Sequence, residues 1–243
     1  MRYTPFFLAS LLLAACSSET PTATIPEPTT PAQPEATTPS SYQAPNTAER
    51  DSWQKPQEVF LLMGNDLRNR TIADLAAGDG YFTFKLIEVG ANVIAISDDP
   101  AQLAAIEARK KEMKLSDERL RTRLGSASDP MLAPNEVDAC LLVHSYTRIP
   151  DKKGYLVKVY EGTKMPKPLF LLEWLNTETP IGPPMTDRMS SERIMDDIGL
   201  AGYTDVGTYS AKIPHQAFIF ASHQTGIADD QQGMDPSQLL PTQ

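Results

Sequence analysis

The 243 residues are enough for one domain of ordinary size, and a 41% content of hydrophobic residues is enough to bury a sizeable core. A formal net charge of -9 argues against nucleic acid as a partner, because its phosphates would be repelled. With only Cys16 and Cys140, the chain can build neither a disulfide framework nor a cysteine metal cluster, and no metal site is predicted.

The N-terminus has the three-part form of a secretory signal. Arg2 precedes an apolar run over residues 6–13, and small residues then lead to Cys16. This segment resembles the precursor of a bacterial lipoprotein, in which a signal peptidase cuts before the cysteine and lipid is attached to it. The resemblance implies a signal peptide and lipobox over residues 1–16 and a membrane anchor through lipid on Cys16. Because Ser17 follows rather than an aspartate, it also implies the bacterial cell envelope, at the outer membrane facing the periplasm.

Two segments lack the large apolar residues that a core requires. Residues 17–47 are rich in Pro, Thr, Ser, Ala and Glu, a composition that predicts a disordered, semi-extended tether. Residues 225–243 show no apolar periodicity and are predicted to form a disordered tail. The folded domain is therefore placed over residues 48–224.

The domain is predicted to begin with an apolar helix that has Pro56 in its first turn and ends near Met63. A buried strand at Thr71–Leu75 follows and leads through a glycine-bearing turn into a helix at residues 81–89. The helix that starts after Asp98 and Asp99 is predicted to bury Leu103, Ile106 and Met113. The other predicted elements are strands at Asn92–Ser97, Leu120–Leu124, 137–144, Leu169–Trp174, 203–206 and 216–221, and helices at 152–160 and 191–198. Strands that alternate with helices predict an α/β fold with a doubly wound, mostly parallel sheet.

The turn after the first strand has the composition of a ligand-binding loop. Gly78 and Gly80 allow the backbone to turn tightly and to approach a ligand without a side-chain clash. Amide groups at the start of the next helix would point at the same loop, as they do at the switch point of open α/β sheets. A plain tight connection is the alternative, since such a turn is a weak signal by itself.

Together these segments resemble a class I S-adenosyl-L-methionine (SAM)-dependent methyltransferase, of a bacterial family of often exported methyltransferases. The resemblance rests on ERDSWQKPQEV (49–59), ADLAAGDGYFT (73–83), VDACLLVHSY (137–146) and TPIGPP (179–184). It implies a Rossmann-like sheet with an antiparallel closing strand and SAM as the cofactor. It further implies a methyl acceptor that is a small molecule or a protein.

By this resemblance, Asp74, Gly78 and Gly80 belong to the loop that holds the methionine part of the cofactor. Ala76 stands where the family has the first glycine of that loop.

Two further cofactor positions depart from the family. Ser97 stands for the acid that accepts hydrogen bonds from the ribose hydroxyls, and Ser126 for the acid that meets the adenine amino group. An uncharged serine loses the charge-assisted part of such a bond, about 1 kcal/mol or more. Asp98 could supply the ribose contact by a shift of one residue, although strand alternation would turn its side chain to the other face.

Candidate catalytic residues follow the fourth strand. Tyr146 and His144 are predicted to lie near the methyl donor, where a base is needed only if the acceptor is not already basic. The alternative for His144 is a strand-end histidine bonded to a neighbouring loop. Cys140, inside the strand, is predicted to be a small buried hydrophobe rather than a nucleophile.

Two functions stay open at this point. One is methyl transfer; the other is a non-catalytic binding module that keeps the methyltransferase fold with a degenerate cofactor site. SAM is made in the cytosol, so a lipoprotein domain beyond the inner membrane would need exported donor. A Rossmann oxidoreductase is disfavoured, because Ala76 and Ser97 break its nucleotide-binding pattern.

Overall fold

A computed structural model describes residues 47–64 and 66–224. The predicted signal peptide, Cys16, the tether up to residue 46 and the tail at residues 225–243 lie outside the described residues. Thr47, predicted as the last residue of the tether, begins the first helix. Within the two described ranges, no helix combines the length and the apolar composition that crossing a bilayer requires.

Seven strands form one central sheet. They are β1 (Thr71–Leu75), β2 (Asn92–Ser97), β3 (Leu120–Leu124), β4 (Ala139–Val143), β5 (Leu169–Trp174), β6 (Asp205–Tyr209) and β7 (Gln216–Ser222). The order across the sheet is β3-β2-β1-β4-β5-β7-β6. The first five strands pair in parallel, and β7 pairs antiparallel with both β5 and β6. The predicted α/β class and the Rossmann-like sheet with an antiparallel closing strand are confirmed.

Helices cover both faces of the sheet. They are α1 (Thr47–Gln54), α2 (Pro56–Leu62), α3 (Tyr81–Glu88), α4 (Pro100–Glu112), α5 (Lys152–Gly162) and α6 (Ser191–Leu200), with single 3-10 turns at Tyr146–Arg148 and Met185–Asp187. Alternate residues of β1 enter opposite cores: Ile72 joins Phe84 of α3, whereas Leu75 joins Leu156 of α5. Because both faces are covered, β1 reads as a continuous apolar run rather than an alternating one.

The bounds of several strands follow the predictions closely. The bounds of β1, β2, β3 and β5 are confirmed residue for residue. β4 is shorter than the predicted 137–144, because the backbone leaves the strand at His144 with a φ of 49°. The predicted helix with Pro56 in its first turn is confirmed as α2, whereas α1 before it was not predicted; Lys55, with a φ of 47°, separates the two helices.

The predicted buried face of α4 is only partly correct. Asp99 caps the helix by accepting a hydrogen bond from the Ala101 N–H at 2.8 Å, and Ile106 is buried as predicted. Met113 was predicted to be buried and is 40% exposed, because it is the C-cap, where the chain turns away from the core.

The strand order creates a crevice between β1 and β4. From β1 the chain proceeds outward to β2 and β3 on one side and then crosses to β4 on the other. The connections after these two strands therefore diverge at their carboxyl ends, which is where open α/β sheets bind their ligands.

Candidate cofactor site at the carboxyl edge of the sheet

A small cavity of about 80 Å³, open to solvent, lies at this edge. Four of the predicted site residues line it together although they come from three different strand ends: Ala76, Ser97, Asp98 and Ser126. The remaining lining residues are Ile96, Ala127, Leu142, Ser145, Arg148, Ile149 and Tyr155. The mixture of apolar walls with a few polar groups is typical of small-molecule and cofactor sites.

The loop after β1 places its two glycines in different roles. Both have left-handed φ values, 57° at Gly78 and 78° at Gly80. A Cβ on Gly80 would lie 3.0 Å from side-chain atoms of Ile106 and Phe84, so Gly80 is required by the packing of α3. A Cβ on Gly78 would have only the Ala76 carbonyl oxygen nearby, at 3.9 Å. Gly78 therefore leaves backbone open to a ligand, as predicted for this loop.

Ala76 adopts the left-handed conformation that the family's glycine would adopt freely. Its φ is 59°. A residue with a Cβ pays about 1 to 2 kcal/mol for this conformation. The departure from the family at this position thus affects backbone strain, while the shape of the loop is retained.

Asp74 stands behind the loop rather than in the cavity wall. It is 2% exposed, and its carboxylate accepts a hydrogen bond of 2.6 Å from the Thr83 hydroxyl. Burial raises the pKa of Asp74 to about 7, against the lowering effect of the Thr83 bond. Asp74 connects β1 to α3, and the structure does not bring it among the cavity-lining residues.

At the end of β2, Ser97 and Asp98 differ in availability. The Ser97 hydroxyl is buried, donates to Gln102 Oε1 at 2.7 Å and accepts from the Asp99 N–H at 3.0 Å. Asp98 is exposed at the cavity. The objection from strand alternation fails, because β2 ends at Ser97 and Asp98 belongs to the following loop. The free acid at this strand end is therefore Asp98.

Ser126 and Tyr155 also line the cavity, and Tyr155 was not among the residues predicted from the sequence. The exposed Ser126 hydroxyl lies 3.2 Å from the Ser128 hydroxyl and accepts a hydrogen bond of 3.3 Å from the Ser128 N–H. Tyr155, from α5, contributes a ring whose hydroxyl has no protein partner in the described part of the chain. Burial raises the pKa of Tyr155, so this hydroxyl stays a donor.

Tyr146 is fully buried, and it does not line the cavity. It donates to Asp197 Oδ2 of α6 at 3.1 Å. Burial, reinforced by that carboxylate, raises the pKa of Tyr146. The structure therefore does not bring this hydroxyl to the cavity, and a catalytic role for Tyr146 stays a prediction.

His144 lies in an aromatic stack. Its ring centroid is 4.4 Å from that of Trp174 and 6.1 Å from that of Trp53. Its Nε2 lies 2.8 Å from Gln216 Oε1, and since Gln216 Nε2 donates to the Trp53 carbonyl, Nε2 of His144 must carry the proton. Burial lowers the pKa of His144 to about 3. The His144 ring is thus neutral and bonded to a neighbouring segment. This arrangement resembles the structural role that was the alternative to catalysis for this residue.

A buried carboxyl holds the turn that carries His144. Glu173, in β5, accepts hydrogen bonds of 2.8 Å from the N–H groups of both Ser145 and Tyr146. Burial raises the pKa of Glu173 to about 7. Arg148 donates to the Ser145 hydroxyl at 2.9 Å and lines the cavity. Sequence reasoning missed these contacts, because they join β5 to the loop after β4.

Cys140 is confirmed as a small buried hydrophobe. It is 0% exposed, and its Sγ lies 3.3 Å from the Thr163 hydroxyl. Burial raises the pKa of its thiol to about 12. The thiol is therefore protonated and inert at neutral pH.

Comparison with known proteins finds a match to a protein family over part of the chain. Residues 73–164 match the family model of a methyltransferase domain. An uncharacterized methyltransferase from Mycobacteroides abscessus is 31% identical over 100 residues, which cover 41% of this chain and 36% of that protein. The chain thus matches about a third of the length of that curated relative.

Solved structures share the fold at low identity. A SAM-dependent methyltransferase from Aquifex aeolicus has a TM-score of 0.64 and 18% identity, over 72% of this chain and 92% of that one. Magnesium protoporphyrin IX methyltransferase from Synechocystis, with bound SAM, has a TM-score of 0.55 and 12% identity, over 75% and 86%. A protein from Bordetella parapertussis described as a possible exported protein has a TM-score of 0.56 and 12% identity, over 70% and 67%. This chain therefore has the fold of SAM-dependent methyltransferases, and its residues 73–164 match a methyltransferase domain.

Proposed function

We propose that this chain is a SAM-dependent methyltransferase of unknown acceptor. The observation that carries the proposal is the cavity at the switch point of the sheet, where Ala76, Asp98 and Ser126 meet from three strand ends. Two comparisons support SAM as the cofactor: the match over residues 73–164 and the likeness to a methyltransferase with bound SAM. A cavity in this position also fits the general location of ligand sites in open α/β sheets.

The residues present fit this cofactor. The exposed Asp98 carboxylate lines the cavity and can accept hydrogen bonds from ribose hydroxyls. Gly78 is not among the cavity-lining residues, but its uncovered backbone leaves room for the methionine part beside the cavity. The Tyr155 hydroxyl and the exposed Ser126 hydroxyl offer polar partners for the adenine edge. When bound, SAM supplies a methyl group on a sulfonium, ready for transfer to a nucleophile. The contribution of the chain is to hold and orient it.

The position of Asp98 weakens the case for a non-catalytic binding module. That case rested partly on the need for exported SAM and partly on loss of the ribose acid at Ser97 and the adenine acid at Ser126. Asp98 restores a charged acceptor at the end of β2, so the site is less degenerate than the sequence indicates. Methyl transfer is the reading that the comparisons favour.

Asp98→Asn should weaken SAM binding about tenfold, because a charge-assisted bond becomes a neutral one. Ser97→Ala should leave the affinity nearly unchanged, since the Ser97 hydroxyl is already bonded to Gln102 and Asp99. Calorimetric titration of the purified full chain with SAM measures both. Equal affinity of Asp98→Asn and the parent would refute the role of Asp98, whereas a parent chain that binds no SAM would refute the proposed function.

We further propose that the protein is anchored by lipid on Cys16 in the bacterial cell envelope, at the outer membrane. The signal-like residues before Cys16 support this, and one structural neighbour is described as a possible exported protein. Mass spectrometry of the native N-terminus should find a lipidated cysteine, and Cys16→Ser should accumulate as an unprocessed precursor. An unmodified peptide that reads through Cys16 would contradict the anchor.

A further inference from the structure

α1 crosses the carboxyl edge of the sheet and contacts both sides of the crevice. Its Arg50 Nη1 lies 2.7 Å from Asp79 Oδ2 in the loop after β1, and the guanidinium stacks 4.0 Å from the Tyr81 ring centroid. Its Trp53 stacks on Trp174 at 5.3 Å, on the β5 side. α1 lies outside the matched segment 73–164, so the family comparison assigns it no role.

At the end of α1, a buried amide has a donor without a partner. Gln54 is 0% exposed, and its Oε1 accepts a hydrogen bond of 2.5 Å from Arg50 Nε. Because an arginine only donates, this bond fixes which end of the amide is oxygen. The other end, Gln54 Nε2, is buried and has no hydrogen-bond partner among the described residues. Unpaired buried donors are rare in folded proteins, and each one calls for an explanation.

Arg50 offers a second donor beside the first. Two of its nitrogens are engaged, Nε by Gln54 and Nη1 by Asp79, while Nη2 has no partner within residues 47–64 and 66–224. Nε and Nη2 share one edge of the guanidinium plane, so Nη2 lies on the side that faces the Gln54 amide. Two side chains that are bonded to each other, one turn apart at the end of α1, thus each carry an N–H donor without a partner in the described part of the chain.

We propose that Arg50 Nη2 and Gln54 Nε2 bind the α-carboxylate of SAM, so that α1 completes the cofactor site. The inference rests on the proposed function and adds to it a pair of ligand-binding residues from outside the matched domain. A carboxylate has two oxygens and suits two convergent donors, one of them permanently charged. Arg50 also pairs with Asp79, in the loop that holds Gly78 open to the methionine part.

The placement of Arg50 supports a ligand that approaches from the crevice. Its charge acts on buried groups at two strand ends: on Asp74 in β1, where burial dominates the raised pKa, and on His144 after β4, where burial dominates the lowered pKa. Arg50 pairs with Asp79 after β1, while Trp53 of the same helix stacks on His144 after β4, so α1 reaches both strands that flank the switch point. Ligand binding there would hold α1 against the loop after β1.

The test compares SAM with decarboxylated SAM, which keeps the sulfonium and the amine but lacks the carboxylate. In the full parent chain, calorimetric titration should find SAM bound about tenfold more tightly or better. Gln54→Glu keeps the oxygen that Arg50 needs and replaces the free donor by a second carboxylate oxygen of similar size. It should weaken SAM about tenfold or more and leave decarboxylated SAM unchanged.

Arg50→Gln is the second variant and should also weaken SAM selectively. Arg68→Gln is the matched control, because Arg68 is a surface arginine that pairs with Asp66 at 2.9 Å, and it should affect neither ligand. Equal binding of the two ligands by the parent, or equal weakening of both by the variants, overturns the inference and leaves the proposed function intact. A parent chain that binds neither ligand overturns both.

Discussion

Replacing Glu173 by Leu should lower the free energy of unfolding by about 2 to 6 kcal/mol, since it removes the shared acceptor of two buried backbone donors. Glu173 is 4% exposed, and its Oε1 receives the N–H groups of Ser145 and Tyr146 at 2.8 Å each. Leucine offers no acceptor, and each unpaired buried donor costs about 1 to 3 kcal/mol. The loss is large because one side chain serves both donors.

Glu173→Gln is the matched variant. Its amide oxygen can accept the same two N–H groups, and it is neutral, as is the carboxyl form that burial favours by raising the pKa of Glu173 to about 7. We expect it to cost under about 1 kcal/mol near neutral pH. Urea unfolding of the parent and both variants at one pH measures the difference. If Glu173→Leu unfolds at the same urea concentration as Glu173→Gln, the two hydrogen bonds do not hold this turn.

Strands could be predicted where packing leaves one choice. β1, β2 and β5 are covered on both faces, so nearly every side chain must be apolar and the sequence marks their ends. β6 differs, because it is an edge strand of partly exposed residues, and its observed bounds, Asp205–Tyr209, are shifted from the predicted 203–206. An edge strand carries a weaker apolar signal, and pairing with β7 decides its extent.

Helix ends were predicted less well, because they depend on single backbone conformations. Lys55 has a left-handed φ, and a lysine side chain does not predict this conformation. The Pro that follows it was the available signal, since a residue before proline is biased away from the helical conformation. Met113 is apolar and in phase with Ile106, yet it lies at the C-cap, where the chain no longer faces the core.

The site could be predicted as far as it lies next to strand ends. Ala76, Ser97, Asp98 and Ser126 each follow a strand, so topology alone brings them together. Tyr155, from α5, lines the same cavity without any motif in the sequence.

The contacts of Arg50 and Gln54 were even harder to predict from the sequence. They precede β1 in the chain, and only tertiary folding lays α1 across the crevice. Their pairing at a spacing of four residues indicates a helix face but not what that face contacts.

Asp74→Asn should gain stability relative to the parent as the pH rises. Above pH 7, the free energy of unfolding of the variant minus that of the parent should be about 2 to 4 kcal/mol larger than the same difference at pH 4. The pKa of an aspartate in the unfolded chain is about 3.9. Burial raises the pKa of Asp74 to about 7 in the folded protein. Between those values the folded protein keeps a proton that the unfolded chain has released. Its free energy of unfolding therefore falls as the pH rises from about 4 to about 7.

Asparagine removes this dependence while keeping an oxygen for the Thr83 hydroxyl, which lies 2.6 Å from the Asp74 carboxylate. Urea unfolding of parent and variant at intervals from pH 4 to pH 8 measures it, and other titrating groups, Glu173 among them, cancel in the difference. Asp196→Asn, at an exposed position of α6, is the control and should run parallel to the parent. A constant difference between Asp74→Asn and the parent across this range would mean that Asp74 is ionised in the folded protein, and that its carboxylate is stabilised behind the loop despite its burial.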